Sequence, residues 1–362
     1  AGMARYGERP AVAMLLGGRA LRETSLLAAA RSAARYGVKL LAELFPTRME
    51  RGAGLPHVER IAYLAEFAAV QLHGLRHLIL VDAKAPVSFF AYPGKKSDLV
   101  PEGCQVHTLA DFRQDSGASL ARLAERLGAR DARPELQTPA RPGLPRGKLT
   151  AEKVCKAIGA LLPERAIIVD EAQTSGVLLP TFTRGAPRHD VLTLTGGAIG
   201  QGLPCAVGAA IACPDRPVLA LSGDGSAMYT IQALWTMARE RLDVTAIIFN
   251  NRSYAILNVE LQRVGAQGTG EKAQAQLDLA QPGLDFVQMS GGLGVPAVRA
   301  ATAEDFVAAL EHALRTPGPH LIEAVVPSAF SGMKLRLLPR LLAALGSLPQ
   351  PVARVIKRKV AP

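Results

Sequence analysis

Along nearly the whole chain, short runs rich in leucine and β-branched residues alternate with Ala-rich amphipathic stretches, and this rhythm limits the possible folds more than any other feature. A short apolar run bounded by turn residues suits a strand buried on both faces, and the amphipathic run after it suits the helix that covers that strand. The first part of the chain predicts strands over Ala11–Leu16, Val38–Leu41, Leu78–Val81 and Gln105–Leu109, with helices over Arg22–Tyr36, Arg60–Leu72 and Ser119–Leu127. The second part predicts strands over Ala166–Val169, Val191–Leu194, Val218–Ser222, Val244–Phe249 and His320–Val326. Helices are expected over Gly202–Ala212, Ser226–Arg239 and Glu304–Arg315, and Thr150 is a suitable N-cap for one running to Leu162. The fold class is therefore α/β, with two doubly wound parallel-sheet domains.

At 362 residues the chain is long enough for two or three such domains. The boundary falls where the rhythm stops: Arg130–Gly147 holds Pro134, Pro139, Pro142 and Pro145, a density that favours an extended spacer. This gives a first domain over 1–129, a linker over 130–147, a second domain over 148–330 and a basic tail over 331–362. The net charge of +11 resides mostly in the tail, where Lys334, Arg336, Arg340, Arg354, Lys357, Arg358 and Lys359 meet no acid. The preceding residues are nearly balanced, and the tail lacks aromatics to stack bases beyond Phe330. It therefore reads as a solvated or loosely docked segment, and a nucleic-acid partner is not expected.

Other classes fall away on similar grounds. The chain has no apolar run of about 18 residues and no basic-then-apolar start, so no membrane association is expected and a cytoplasmic location follows. Cys104, Cys155, Cys205 and Cys213 form no C-x-x-C pair and are expected to be reduced thiols. Zinc-protease and serine-hydrolase signatures are missing. Gly143–Lys148 resembles a phosphate loop only faintly, since Leu149 stands where Ser or Thr is required. Gly17 and Gly18 follow the first strand without the spacing of a dinucleotide loop, so they read as a tight strand-to-helix turn.

The chemistry concentrates in Leu219–Ser253. An apolar strand ends at Ser222, Gly223-Asp224-Gly225-Ser226 opens a helix, and the next strand ends in Asn250-Asn251. Gly223 and Gly225 are expected to allow positive φ and close backbone approach, and the helix start offers N–H groups to a diphosphate. Asp224 can bind a hard cation, and the strand-helix-strand geometry brings Asn251 beside it at the carboxyl ends of parallel strands. An aspartate, an amide oxygen and a main-chain carbonyl suit Mg²⁺, which shares about six oxygens among protein, water and phosphates.

A G-D-G followed by 24 residues and then N-N is the thiamine-diphosphate signature. The sequence resembles the thiamine-diphosphate enzymes of the acetolactate synthase large subunit and benzoylformate decarboxylase group. That resemblance implies Asp224 and Asn251 as Mg²⁺ ligands with the Ser253 carbonyl, and Gly223, Gly225, Ser226, Ala227 and Tyr254 as cofactor contacts. Asp170–Thr174 is similar to the family's diphosphate loop, with Gln173 and Thr174 as its contacts. Thr195–Pro204, TGGAIGQGLP, is similar to the pyrimidine-side loop. There the Gly197 carbonyl would accept from the 4′-amino group and Ile199 would hold the cofactor bent.

The first domain resembles the family's middle domain and the second its diphosphate-binding domain. Two departures stand out: Ala85–Lys95 lacks the histidine some decarboxylases of the group carry, and nothing in the sequence resembles the N-terminal pyrimidine-binding domain. No catalytic residue is therefore expected within the chain, because the activating glutamate belongs to that domain. The resemblance implies an enzyme of 2-oxo acids, with acetolactate-synthase-like carboligation, and so branched-chain amino acid biosynthesis, first. Benzoylformate-type decarboxylation and a non-catalytic Mg²⁺- and diphosphate-binding fragment are the alternatives. It also implies a pyrimidine-binding domain in cis or in trans and homo-oligomers of the full-length form. Flavin adenine dinucleotide (FAD) in the middle domain is left undecided.

Overall fold

The computed structural model describes residues 5–6, 9–92, 94–264, 270–328, 332–345 and 348–360. Side chains of several residues in the segment 332–339 and at 358–360 lie outside the description, as do Phe330 and Ser331 of the tail. The chain divides into two units, 1–138 with 341–361, and 139–340 with 362.

In the first unit, β1 (Val12–Leu16), β2 (Lys39–Ala42), β3 (Glu59–Arg60), β4 (His77–Val81) and β5 (Gln105–Ala110) form a parallel sheet in the order β3-β2-β1-β4-β5. Alternation along β1 shows why it is central. Val12, Met14 and Leu16 enter one core cluster, while Ala13 and Leu15 enter the other, so neither face meets water. Helices Glu23–Tyr36 and Ser116–Arg126 contact one another, and Asp115 caps the second by accepting from the Ala118 N–H at 2.9 Å. The helix expected over Arg60–Leu72 is shorter, Ala65–Leu72, because Glu59–Arg60 pairs with β2 as a strand.

In the second unit, β6 (Ile167–Glu171), β7 (His189–Thr193), β8 (Val218–Gly223), β9 (Val244–Asn250), β10 (Ala297–Ala300) and β11 (His320–Val325) run parallel in the order β10-β11-β9-β8-β6-β7. The alternation recurs here. Leu219, Leu221, Ile247 and Phe249 pack into one cluster, and Val218, Ala220, Ala246 and Ile248 into the other. Thr150 caps helix Ala151–Leu161, its hydroxyl accepting from Lys153 N–H at 3.2 Å. The helix expected over Ser226–Arg239 is broken into Asp224–Ala227 and Ala233–Arg239. Between them the backbone tightens into i→i+3 bonds, such as Thr230 N–H to Ala227 at 3.1 Å, while the Thr230 hydroxyl donates to the Gly200 carbonyl at 2.7 Å.

The proline-rich segment is extended but anchored. Gln137 is buried, and its side-chain amide donates to the Leu55 carbonyl at 3.2 Å in the first unit. The Arg141 guanidinium donates to the Ala160 and Leu162 carbonyls at 2.6 and 2.9 Å in the second. With few N–H groups of its own, the segment borrows partners from each unit in turn.

Of the two expectations for the tail, solvated or loosely docked, the structure favours docking. It forms helices Gly332–Leu345 and Gln350–Val360, and residues 341–361 belong to the first unit. Helix Gln350–Val360 lies on helix Ala65–Leu72, with Ala353 and Lys357 buried on one face. The Lys357 ammonium meets Glu59 at 2.5 Å, and Lys39 meets the same carboxylate at 3.2 Å. Lys357 therefore cannot be counted as free charge in the way composition suggests, because it is neutralised inside the fold.

Candidate functional site

Sheet order places the site. From β6 the chain goes to β7 on one side and then returns to β8 on the other, so the second sheet reverses direction between β6 and β8. Open α/β sheets bind ligands in the crevice outside the carboxyl ends at such a point. Glu171 ends β6 and Asp224 follows β8, one on each side of it.

Asp224 is almost fully buried, at 2% exposure. Its Oδ1 accepts from Gly225 N–H at 2.9 Å and its Oδ2 from Arg252 N–H at 2.6 Å. Burial pushes its carboxyl up to about 6, against the pull of amides from Gly225, Arg252, Ser253 and Asn251. These donors show that the loop after β9 wraps the carboxylate. Arg252 holds φ +58 to aim its N–H there, and its carbonyl accepts from Leu279 N–H at 3.0 Å. Such a conformation in a non-glycine residue persists only where its surroundings dictate it.

The two asparagines of the N-N pair separate by strand parity. Asn250 continues the face of Ile248, where its side-chain amide donates to Glu323 at 2.6 Å, and Glu323 is itself held by Arg299 at 2.8 Å. Asn251 passes beyond the strand and faces the other way. Its Oδ1 accepts from Ser253 N–H at 2.9 Å, and its Nδ2 reaches Ser175 Oγ at 3.5 Å. That last contact brings the turn Gln173–Ser175 to the Asp224 loop. Gln173 adopts φ +52, the second left-handed non-glycine residue at the site.

The glycines behave differently from the expectation. Gly223 has φ −74, and Gly225 is not among the residues at positive φ. Gly225 is needed for packing: a Cβ there would sit 2.2 Å from the Tyr254 ring. At Gly223 an added Cβ would meet only Ser226 Oγ, at 3.8 Å, so its backbone is open to approach. Ser226 is nearly buried, and the Ala227 side chain lies wholly in the core, leaving only its backbone to face the site. Gly197 (φ +72) and Ile199 are half-buried on the loop between β7 and helix Gly202–Ala212, and Ile199 joins none of the core clusters.

Glu171 holds that loop, a role the sequence did not reveal. Its carboxylate, 1% exposed, accepts from Gly200 N–H at 2.6 Å and Ser222 Oγ at 3.0 Å, with the amides of Gln201 and Gly202 adding to them. It thus caps helix Gly202–Ala212 from a neighbouring strand. Burial raises its carboxyl above the ordinary value despite these donors. A Cβ at Gly202 would lie 2.7 Å from the same carboxylate. Asn258 is a second residue without a sequence signal; its amide donates to Ser253 Oγ at 3.0 Å and Tyr254 O at 3.4 Å.

The donor chemistry of Asp224, Asn251 and Ser253 is oxygen only, which fits a hard divalent cation better than a soft one. Among the described residues no group of three or more His, Cys, Asp or Glu side chains gathers to hold a metal. A buried carboxylate pushed up by desolvation, with backbone amides as its donors, is relieved by a cation. The residues present therefore fit Mg²⁺ and a diphosphate.

The site and fold define a thiamine-pyrophosphate-binding domain. Residues 173–324 match the family described as thiamine pyrophosphate enzyme, C-terminal TPP binding domain. The chain is 57% identical over 329 residues, 91% of its length, to the IlvX protein of Mycobacterium tuberculosis, which is named for the acetolactate synthase large subunit. It is 38% identical over 177 residues to a benzoylformate decarboxylase of Pseudomonas aeruginosa, covering 49% of this chain and 32% of that one. The solved thiamine diphosphate-dependent 4-hydroxybenzoylformate decarboxylase of Rhodococcus jostii RHA1 superposes with a TM-score of 0.72 at 26% identity, over 88% of this chain and 62% of that one. Residues 173–324 thus carry the TPP binding domain of the thiamine pyrophosphate enzymes. It spans 63% of the length of the Mycobacterium tuberculosis relative.

No helix among the described residues is long and apolar enough to cross a membrane. None of the four cysteines is in a disulfide, and burial raises the thiols of Cys104, Cys155 and Cys205.

Proposed function

We propose that this chain carries the diphosphate and Mg²⁺ half of a thiamine-diphosphate-dependent site acting on 2-oxo acids, with acetolactate-synthase-like carboligation as its reaction. The observation that carries the reading is the convergence of Asp224, the Asn251–Ser253 loop and the Gln173–Ser175 turn at the switch point of the second sheet. Asp224, Asn251 and the Ser253 carbonyl would hold the cation. Backbone near Gly223 and Ser226, with Gln173 and Thr174, would hold the diphosphate. When bound, the cofactor supplies the ylid and accepts the carbanion left by decarboxylation.

The chain's own residues place and shield that chemistry. Glu171 fixes the loop bearing Gly197 and Ile199, Asn258 holds the Ser253 hydroxyl and the Tyr254 carbonyl, and Tyr254 packs over Gly225. A pyrimidine-binding domain, in cis or in trans, would supply the activating glutamate and exclude water. Benzoylformate-type decarboxylation is a second reading, favoured by the 38% identity to the Pseudomonas decarboxylase. Incubation of the chain together with a pyrimidine-binding domain, with pyruvate and with benzoylformate, followed by CO₂ measurement and product analysis, separates the two. Acetolactate from pyruvate supports carboligation, and aldehyde alone supports the second reading. Failure to bind thiamine diphosphate in the presence of Mg²⁺ would overturn both.

A further inference from the structure

The first unit has a switch point of its own. Its sheet reverses between β1 and β4, so its crevice lies where Gly17, Glu43 and Asp82 follow the strands β1, β2 and β4. In a doubly wound sheet, a dinucleotide takes its phosphates on the amides of the first strand-to-helix turn at such a point. We propose that here the chain's own carboxylates close that cradle, so that the first unit holds no flavin dinucleotide.

The geometry is specific. Gly18 N–H donates to Glu43 Oε1 at 3.3 Å, and Arg19 N–H donates to Asp82 Oδ2 at 2.8 Å. The amides a diphosphate would use are thus turned to internal anions. The two glycines are needed for those same oxygens: a Cβ on Gly17 would sit 2.3 Å from the Asp82 carbonyl and 2.7 Å from Glu43 Oε1. On Gly18, at φ +42, it would sit 2.4 Å from Asp82 Oδ2. Asp82 adopts φ +52, which brings its carboxylate back over the turn. The guanidinium of Arg19, on the same turn, is also engaged, donating to the Gln114 carbonyl at 2.9 Å. Burial raises the Glu43 carboxyl, Gly18 N–H lowers it and the Asp82 charge raises it further.

A phosphate entering this crevice would meet two carboxylates and lose the amides to them. Backbone permissiveness, usually a sign of a ligand's close approach, serves self-occupation here. The FAD that the resemblance leaves undecided therefore does not fit the first unit. The conclusion holds whichever reaction the second unit supports.

Two measurements on the full chain test this. The purified protein is denatured and its supernatant scanned for the visible flavin band, and FAD is titrated into the native protein while its fluorescence is followed. No released flavin and no saturable quenching are expected, and flavin near one per chain, or saturable quenching, would overturn the proposal. The second compares the melting temperature of Asp82→Ala and Glu43→Ala with wild type. Each variant leaves a turn amide without its internal acceptor, so a fall of about 4 °C or more is expected for Asp82→Ala. A melting temperature equal to wild type would show that the carboxylates do not hold the cradle, and would also overturn the proposal.

Discussion

Glu171→Gln is the sharpest test of how the site is held. The substitution keeps the volume but replaces one acceptor oxygen by an NH₂ that faces donors. The wild-type carboxylate takes Gly200 N–H at 2.6 Å and Ser222 Oγ at 3.0 Å, and the amides of Gln201 and Gly202 lie on it as well. Hydrogen bonds to a charged group contribute about 1.5–3 kcal/mol, so losing one from Gly200 costs about 2 kcal/mol. Ser222 recovers part of its loss through the Gly223 carbonyl, 3.2 Å away. Removing a buried charge offsets part of the rest, because desolvation already disfavours the ionised form. The net expectation is a loss of about 1–2 kcal/mol, a fall of about 3–6 °C in the melting temperature of a unit this size. Thiamine diphosphate binding should weaken by up to about tenfold, since that factor corresponds to about 1.4 kcal/mol. The pH dependence has a fixed sign. A carboxyl raised above its unfolded value contributes stability that is fully present below that value and is lost as pH rises through the folded one. The margin of wild type over Glu171→Gln should thus be largest in acid and narrow with rising pH. Calorimetric melts across pH, with binding titrations at one pH, provide the assay. An unchanged melt with unchanged binding would refute the positioning role, and a margin that widens as pH rises would refute the burial argument.

Asp224→Ala should abolish Mg²⁺-dependent binding of thiamine diphosphate while leaving circular dichroism unchanged, and Asn251→Ala should weaken it less; retained binding in Asp224→Ala would show that the cation is held elsewhere. Gly225→Ala should lower both stability and binding, because its Cβ falls 2.2 Å from the Tyr254 ring, and adding Tyr254→Ala should restore the melt. Removing residues 346–362 should destabilise the first unit and spare the cofactor site, as read by separate calorimetric transitions. Burial raises the Glu59 carboxyl, but Lys39 and Lys357 pull it down to about 2 overall, while Lys39 is itself lowered because burial and neighbouring cations outweigh Glu59. The stability from Glu59, about 3 kcal/mol at 1.36 kcal/mol per pH unit, is present above its ordinary 4.5 and lost as pH falls through about 2, so Lys357→Met should raise the pH of acid unfolding. The chain by itself should bind thiamine diphosphate weakly and turn over no 2-oxo acid, and a pyrimidine-binding domain should restore turnover; steady decarboxylation by the chain without that domain would refute this.

What was legible in the sequence is what local pattern determines. Val12–Leu16 and Val244–Asn250 could be read from apolar runs, and Thr150 from its place before an amphipathic stretch. That Asp224 and Asn251 lie at the ends of neighbouring strands was legible, because one strand-to-strand crossover sets that spacing. Features made by distant pairs were not legible. The break after Ala227 depends on Thr230 meeting Gly200, and the cap on helix Gly202–Ala212 comes from Glu171, 31 residues ahead of its first residue. The tail looked like free charge because nothing local shows that Lys357 finds Glu59, nearly the whole chain away. The role of glycine was misread at Gly225 for the same reason. Its partner is Tyr254, which lies beyond the next strand.

The two sheets present one question twice, and the answer depends on where each carboxylate is anchored. Both crevices lie at a switch point, and both combine glycine with acid at strand ends. In the first unit, Asp82 and Glu43 come from strands beside the glycine turn and take the N–H groups of Gly18 and Arg19. The acids cross the crevice and fill it. In the second unit, Glu171 also turns inward, toward Gly200 and Ser222. Asp224 itself is gripped by the amides of Gly225 and of the Arg252 loop. Its carboxylate has about four lone-pair sites, and two well-formed bonds leave capacity for a cation. Asp224 takes Gly225 N–H, but an added Cβ at Gly223 would meet only Ser226 Oγ at 3.8 Å, so the backbone there stays open. In the first unit two acids from neighbouring strand ends take the amides of the glycine turn, whereas in the second the acid starts the turn itself and is held from behind by the Arg252 loop. The two crevices therefore differ in which strand end supplies the carboxylate, although glycines stand at both.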